Sequence, residues 1–172
     1  GILSAVYRGS VFDLIASIIS QIGVSIPDFW LGILLVLFFS LNLRWLPPSG
    51  YDPLNEGVVN WLQHIILPAI TAGLISGSIQ TRFIRSAMIE VLHMNYIRTA
   101  RAKGLMEWIV VSKHALRNAL ISIVTIIGLQ MTALFSAIVT VEIVFAWPGL
   151  GRLALDAVLD RDYPLVQGTV LT

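Results

Sequence analysis

The sequence contains no cysteine, which excludes disulfide bonds, thiolate nucleophiles and cysteine-ligated metals. Charged residues are also few, because they make up only 12% of the chain, whereas a soluble domain usually carries about 25%. The net charge of +1 gives no indication of nucleic-acid binding. A G-x-x-x-x-G-K-S/T loop is missing as well, so this chain cannot itself cradle the phosphates of ATP.

Hydrophobic residues, by contrast, make up 56% of the sequence. Three apolar segments reach the roughly 20 residues that a membrane-spanning helix needs, and they predict spans at about 14–43, 62–87 and 115–147. None shows the alternation of a strand, so we predict an all-α, polytopic membrane protein. Because the apolar stretch 163–172 is too short to cross, we expect it to begin a further span, in a single transmembrane domain (1–172) truncated at both ends.

Charge is distributed unevenly over the connections between these segments. Residues 82–117 hold seven Lys or Arg and two Glu, whereas 44–61 hold one Arg and two acidic residues, and 142–164 hold two Arg and four acidic residues. Because basic loops stay on the cytoplasmic side of a membrane, we predict that 82–117 is cytoplasmic and the other two connections are external. Its central part, about 90–114, is the candidate interaction segment.

Within that segment, Asn95 could cap a short helix and Gly104 could end it. One side of the helix would be apolar and formed by Tyr96, Ile97 and Ala100. The other side would be basic and formed by Arg98 and Arg101. About eight residues do not form a stable helix alone in water. Two interpretations remain open: contact with anionic membrane lipid, or insertion into a groove of a cytoplasmic partner.

Several separated motifs together resemble one known family. They are "YIRTARAKGL" (96–105), "HALRNAL" (114–120), "GLQ" (128–130), "FAWPGLGRL" (145–153) and "RDYPLVQG" (161–168), in this order. This combination resembles the permease subunits of peptide-type ATP-binding-cassette importers, the dipeptide, oligopeptide and nickel group, and covers nearly all of the chain. The resemblance implies a type I importer transmembrane domain, with a six-helix core in the full subunit, in the bacterial inner membrane.

The resemblance also implies a site and a set of partners. The basic helix would be the coupling helix that contacts the ATPase, formed by Asn95, Tyr96, Ile97, Arg98, Thr99, Ala100, Arg101, Ala102, Lys103, Gly104 and Leu105. The implied partners are a homologous second permease, two ATPase subunits, an extracytoplasmic substrate-binding protein and membrane lipid, with no nucleic acid. The permease would not itself be an enzyme and would need no cofactor. Its substrate would be a short peptide.

Alternatives to this function are nickel or another small solute as the substrate, or a non-transport membrane scaffold whose basic loop recruits a soluble partner. One position departs from the family pattern, because Ser122 stands where relatives usually carry proline. A serine hydroxyl could bond back to a carbonyl one turn earlier and bend the third span gently.

Other candidate sites are weaker. Glu142 lies near the end of the third segment, where it would meet the outer interface or else face the translocation path. Glu90 and His93 have the spacing of a helical metal pair, but a solvated helix end explains them better, and we predict no metal site. The serines of "GLISGS" (73–78) have no histidine deep in another span, so we predict no catalytic residues.

Overall fold

The computed structural model describes residues 1–171, which are predominantly helical and contain no β-strand. The helices are α1 (Ile2–Val6), α2 (Val11–Ser25), α3 (Asp28–Leu35), α4 (Val58–Leu92), α5 (Asn95–Ala102), α6 (Glu107–Ile109), α7 (Leu116–Val144), α8 (Leu150–Leu159) and α9 (Tyr163–Leu171). A π-helical segment, Val36–Asn42, continues α3, and another, Val110–Ala115, joins α6 to α7. The predicted all-α fold is confirmed.

Among residues 1–171, two helices are long and apolar enough to cross a membrane: α4, with 35 residues, and the continuous helix Glu107–Val144, with 38. The predicted spans 62–87 and 115–147 fall largely within them. The helices α2 and α3 provide a third candidate only if they are counted together as one broken span. The helix α9 occupies the predicted partial span 163–172, of which Thr172 lies outside the described residues.

The predicted first span, 14–43, is not one uninterrupted helix. The helix α2 ends at Ser25, and α3 begins at Asp28 after Pro27, whose backbone is extended (φ −64°, ψ 143°). Proline has no N–H with which to continue a helix and disfavours a helical conformation of the residue before it. Pro27 therefore separates two helices within the segment that the sequence suggested as a single span.

Residues 1–25 and 76–132 form one compact unit. Its core combines the ends of several helices, and Met88 of α4, Ile97 of α5 and Val110 ahead of α7 are fully buried. Smaller side chains complete this cluster, including Ala5, Ala87, Ala100, Ala115 and Ala119. Because alanine allows close backbone approach, short helices such as α1 and α5 can pack tightly against the longer ones.

Residues 26–75 and the chain from residue 133 onward form a second unit. Leu67, Val141 and Phe145 make its buried core. Gly32 lies against this core, since a Cβ at that position would be 3.1 Å from Val144 Cγ1. The N–H of Gly50 donates to the Phe145 carbonyl at 2.9 Å, which fixes the proline-rich connection to the end of α7.

The Ser122 hydroxyl was expected to bond to a carbonyl one turn earlier, but it forms no hydrogen bond among residues 1–171. The helix departs from α geometry earlier, at the π-helical Val110–Ala115. The long helix is therefore irregular just before the third predicted span, at Val110–Ala115, and not at Ser122.

Candidate functional site

The helix α5 is held by its apolar side. Ile97 is 0% exposed and Ala100 is 8% exposed, and both belong to the buried cluster that contains Met88 and Val91 of α4 and Val110. The sequence predicted that a helix this short must dock onto something. The structure shows that this apolar side docks onto the same chain, at the end of α4 and at the beginning of the long helix Glu107–Val144.

The sequence places Tyr96 on the same apolar side, but the exposed fraction of this residue is 38%. Its hydroxyl accepts a hydrogen bond of 2.7 Å from Asn118 Nδ2 in α7. Asn118 Nδ2 also donates to the carbonyl of His114 at 3.1 Å. Tyr96 therefore supplies a polar connection between α5 and α7, which sequence reasoning did not identify.

The start of α5 differs from the prediction. Met94 is the N-cap, with an extended backbone (φ −67°, ψ 149°), and Asn95 is already the first helical residue. The N–H groups of Ile97 and Arg98 donate to the Met94 carbonyl at 3.1 and 3.3 Å. The expected side-chain cap from Asn95 was wrong, because the helix begins one residue earlier and no side chain caps it.

The end of α5 agrees with the prediction for Gly104, which has φ +78°. Its N–H donates to the Arg101 carbonyl at 2.9 Å, and the N–H of Leu105 donates to the Ala100 carbonyl at 3.4 Å. This pair of bonds is the Schellman arrangement that closes helices on a left-handed residue. A Cβ at Gly104 would meet no atom within 4 Å, so glycine is required for its backbone conformation and not for space.

A bidentate ion pair spans the turn after α5. Arg101 Nε and Nη2 donate to the two Glu107 carboxylate oxygens at 3.1 and 2.6 Å. The carboxylate raises the pKa of the Arg101 guanidinium above its usual value, mainly through these hydrogen bonds. Both side chains are exposed, and such pairs contribute about 0–1 kcal/mol. The pair orients the turn more than it stabilises the fold.

The surface that α5 leaves uncovered is both charged and apolar. Arg98 and Thr99 are exposed on the helix itself. Leu105, Met106 and Trp108 follow with exposed fractions of 39%, 59% and 66%. Sequence reasoning included Leu105 but missed Met106 and Trp108, although two large apolar side chains beside a basic helix are a recognisable signal of an interaction surface.

A buried carboxylate in the same unit was also missed. Asp13 of α2 is 5% exposed, and its two oxygens accept hydrogen bonds from the Ser4 hydroxyl, the Gly9 N–H at 2.9 Å, and Arg85 Nε and Nη2 at 2.7 and 2.8 Å. Arg85 belongs to α4, 72 residues away. These hydrogen bonds connect the beginning of α2 to α4, the helix that directly precedes α5 in the chain.

Glu142 has a defined partner within the second unit. It is 9% exposed, and its Oε2 accepts a 3.0 Å hydrogen bond from the N–H of Arg152 in the first turn of α8. A Cβ at the N-cap Gly149 would overlap the Glu142 carboxylate, and a Cβ at Gly151 would overlap Val139. Both glycines of "PGLG" are therefore needed for close approach, and Glu142 acts as an acidic cap of α8.

The remaining candidates do not form a site. His93 Nδ1 lies 2.7 Å from the Ile89 carbonyl, so this imidazole contacts the last turn of α4, which ends one residue earlier. No group of three or more potential metal ligands comes together among residues 1–171. Glu90 and His93 consequently remain an isolated pair.

Comparison with known proteins gives a consistent result. A family model described as "binding-protein-dependent transport system inner membrane component" matches residues 1–172. A peptide transport system permease protein of Brucella suis is 46% identical over 171 residues, which are 99% of this chain and 54% of the relative. Glutathione transport system permease proteins of Pectobacterium atrosepticum and Salmonella choleraesuis are 48% and 47% identical, with 53% of each relative covered. The chain thus spans about half the length of these curated relatives.

Proposed function

Because the chain belongs to the family of inner-membrane components of binding-protein-dependent transport systems, we propose that it is the permease part of an ATP-driven importer of short peptides. The family match agrees with the resemblance that the sequence motifs indicated. Peptides are favoured over nickel as the substrate, since the similar proteins are named for peptide and glutathione transport. The proposed partners are a second permease, two ATPase subunits that supply the energy, and an external substrate-binding protein.

The proposed coupling element is α5 with the following turn, residues 95–105. The observation that carries this proposal is the burial of Ile97 and Ala100 in one cluster with residues of α4 and of the segment ahead of α7. A helix that is packed onto both long helices at once can transmit a displacement to both of them. An ATPase that pushes on the exposed side of α5 would therefore move two candidate spans together, as rigid elements.

Gly104 has a specific role in this proposal, because it lets the chain leave α5 and return towards α7. Left-handed backbone angles cost a residue with a Cβ roughly 1–2 kcal/mol, and β-branching adds to the cost. A Gly104→Val variant should therefore distort the end of α5 while the long helices remain in place. The expected result is loss of substrate uptake and loss of ATPase stimulation by the binding protein, with near-normal amounts of assembled complex.

Gly57→Val is a matched control. Gly57 also has positive φ (+138°), and a Cβ there would also meet no atom within 4 Å, but it lies in the connection predicted to be external. We expect this variant to retain coupling between ATP hydrolysis and uptake. Wild-type uptake and stimulation in Gly104→Val would contradict the coupling proposal. Uptake that persists without the ATPase subunits would contradict the importer, and no uptake in the intact assembly would favour the scaffold alternative.

A further inference from the structure

A basic cavity lies beside α5, within the first unit. It has a volume of about 450 Å³ and is lined in part by Arg8, His93, Arg98 and Arg101. These side chains come from the loop after α1, the end of α4 and α5. None of the described residues that line the cavity is acidic, although the chain carries ten Asp and Glu against eleven Lys and Arg.

The charges in the cavity are only partly neutralised. Arg101 is engaged by Glu107, whereas Arg8 and Arg98 form no ion pair in the part of the chain that the structure describes. Guanidinium groups bind phosphate oxygens through two parallel N–H bonds. Two unpaired guanidinium groups at one cavity therefore match the chemistry of a phosphate ester.

The lining of the cavity also includes apolar side chains, among them Val6, Ile89 and Leu92. A free anion gains nothing from apolar walls, whereas a phospholipid carries both a phosphate and acyl chains. The cavity also lies at the end of α4, one of the two helices long and apolar enough to cross a membrane, where headgroups are within reach. Basic pockets at the cytoplasmic ends of membrane helices bind anionic headgroups in this manner.

We propose that this cavity binds the phosphate headgroup of an anionic phospholipid, with Arg8 and Arg98 as the phosphate ligands and Val6, Ile89 and Leu92 against the lipid chains. The bound lipid would sit between α1, α4 and α5. It would therefore contribute to holding α5 against the membrane end of α4. This lipid site does not depend on transport, so lipid binding can be tested even if the proposed function is wrong.

The test measures binding of a fluorescent phosphatidylglycerol to the purified full-length subunit in detergent micelles. Each of Arg8→Gln and Arg98→Gln should weaken binding about fivefold, the usual contribution of one basic residue near an anionic membrane surface. Arg8→Lys keeps the charge and should recover most of the affinity. Lys113→Gln is the matched control, because Lys113 is exposed in the same basic segment but does not line the cavity, and it should bind normally.

Competition then distinguishes the source of the phosphate. Unlabelled phosphatidylglycerol should displace the probe, whereas phosphatidylcholine and millimolar inorganic phosphate should not. Displacement by inorganic phosphate as effectively as by the lipid would overturn the lipid site in favour of a free anion. Equal weakening by Lys113→Gln and by the two cavity variants would also overturn the proposal, because binding would then depend only on the general charge of the segment.

Discussion

Truncation of Ile97 to alanine tests whether α5 is held by its buried side chain. Ile97 is fully buried among residues of α4 and the segment ahead of α7. The change removes three carbon atoms, and each buried methylene contributes about 0.8 kcal/mol. With the cavity left behind, the cost falls in the range of about 2–4 kcal/mol. Because eight residues have little helical stability of their own, this loss should act directly on the docking of α5.

Trypsin provides the assay, because α5 and its end contain Arg98, Arg101 and Lys103. Cleavage at these sites requires local opening, and its rate follows the population of the open form when opening is fast. A loss of 2–4 kcal/mol corresponds to an increase in that population of roughly 30- to 1,000-fold. We therefore expect much faster cleavage within α5 in Ile97→Ala, measured on the purified full-length subunit by mass spectrometry of the fragments.

Ile97→Val is the graded control, since loss of one methyl group usually costs about 0.5–1.5 kcal/mol. Its cleavage rate should lie between those of the wild type and Ile97→Ala. Cleavage at Arg44, which is exposed in the second unit, gives an internal reference for general protease sensitivity. Equal cleavage rates within α5 for the two variants and the wild type would show that Ile97 does not anchor this helix.

Two further predictions concern the ion pair between Asp13 and Arg85 and the orientation of the chain in the membrane. Asp13→Asn should lower the denaturation temperature of the full-length subunit, because it leaves the Arg85 guanidinium without its carboxylate, whereas the exposed Asp160→Asn should have little effect. The double change of Asp13→Asn with Arg85→Gln should lower the denaturation temperature by less than the sum of the two single changes. Strictly additive decreases would contradict the pairing. In this cysteine-free chain, a single cysteine at Asn55 should be labelled by an impermeant thiol reagent in intact cells, whereas one at Met106 should not. The opposite pattern would reverse the predicted orientation.

Local features of the chain could be predicted from sequence. The apolar lengths indicated α4 and the long helix that contains α7, and the glycine after a basic helical stretch indicated where α5 ends. These predictions succeeded because hydrophobic length and the left-handed preference of glycine act over a few residues. The break at Pro27 also has a local cause, because proline disfavours a helical conformation of the residue before it, but the apolar length of 14–43 alone does not reveal it.

Features that depend on distant parts of the chain could not be predicted. Asp13 and Arg85 are separated by 72 positions, and nothing in their own neighbourhoods specifies that they pair. Likewise, a Pro-Gly pair is typical of a turn, but only the fold shows that Gly149 makes room for the Glu142 carboxylate. Both arrangements depend on how separate helices pack against each other. No short stretch of sequence specifies that packing.

The proposed coupling depends on contact between α5 and the ATPase, which site-specific cross-linking detects. Since the chain has no cysteine, a single cysteine at the exposed position Thr99 can carry a short photoactivatable cross-linker in the assembled transporter. Val59, which is 66% exposed and lies in the connection predicted to be external, provides the control position. We expect a covalent adduct with the ATPase subunit from position 99 and none from position 59. Fully assembled complexes that give no ATPase adduct from position 99 would contradict the proposed coupling.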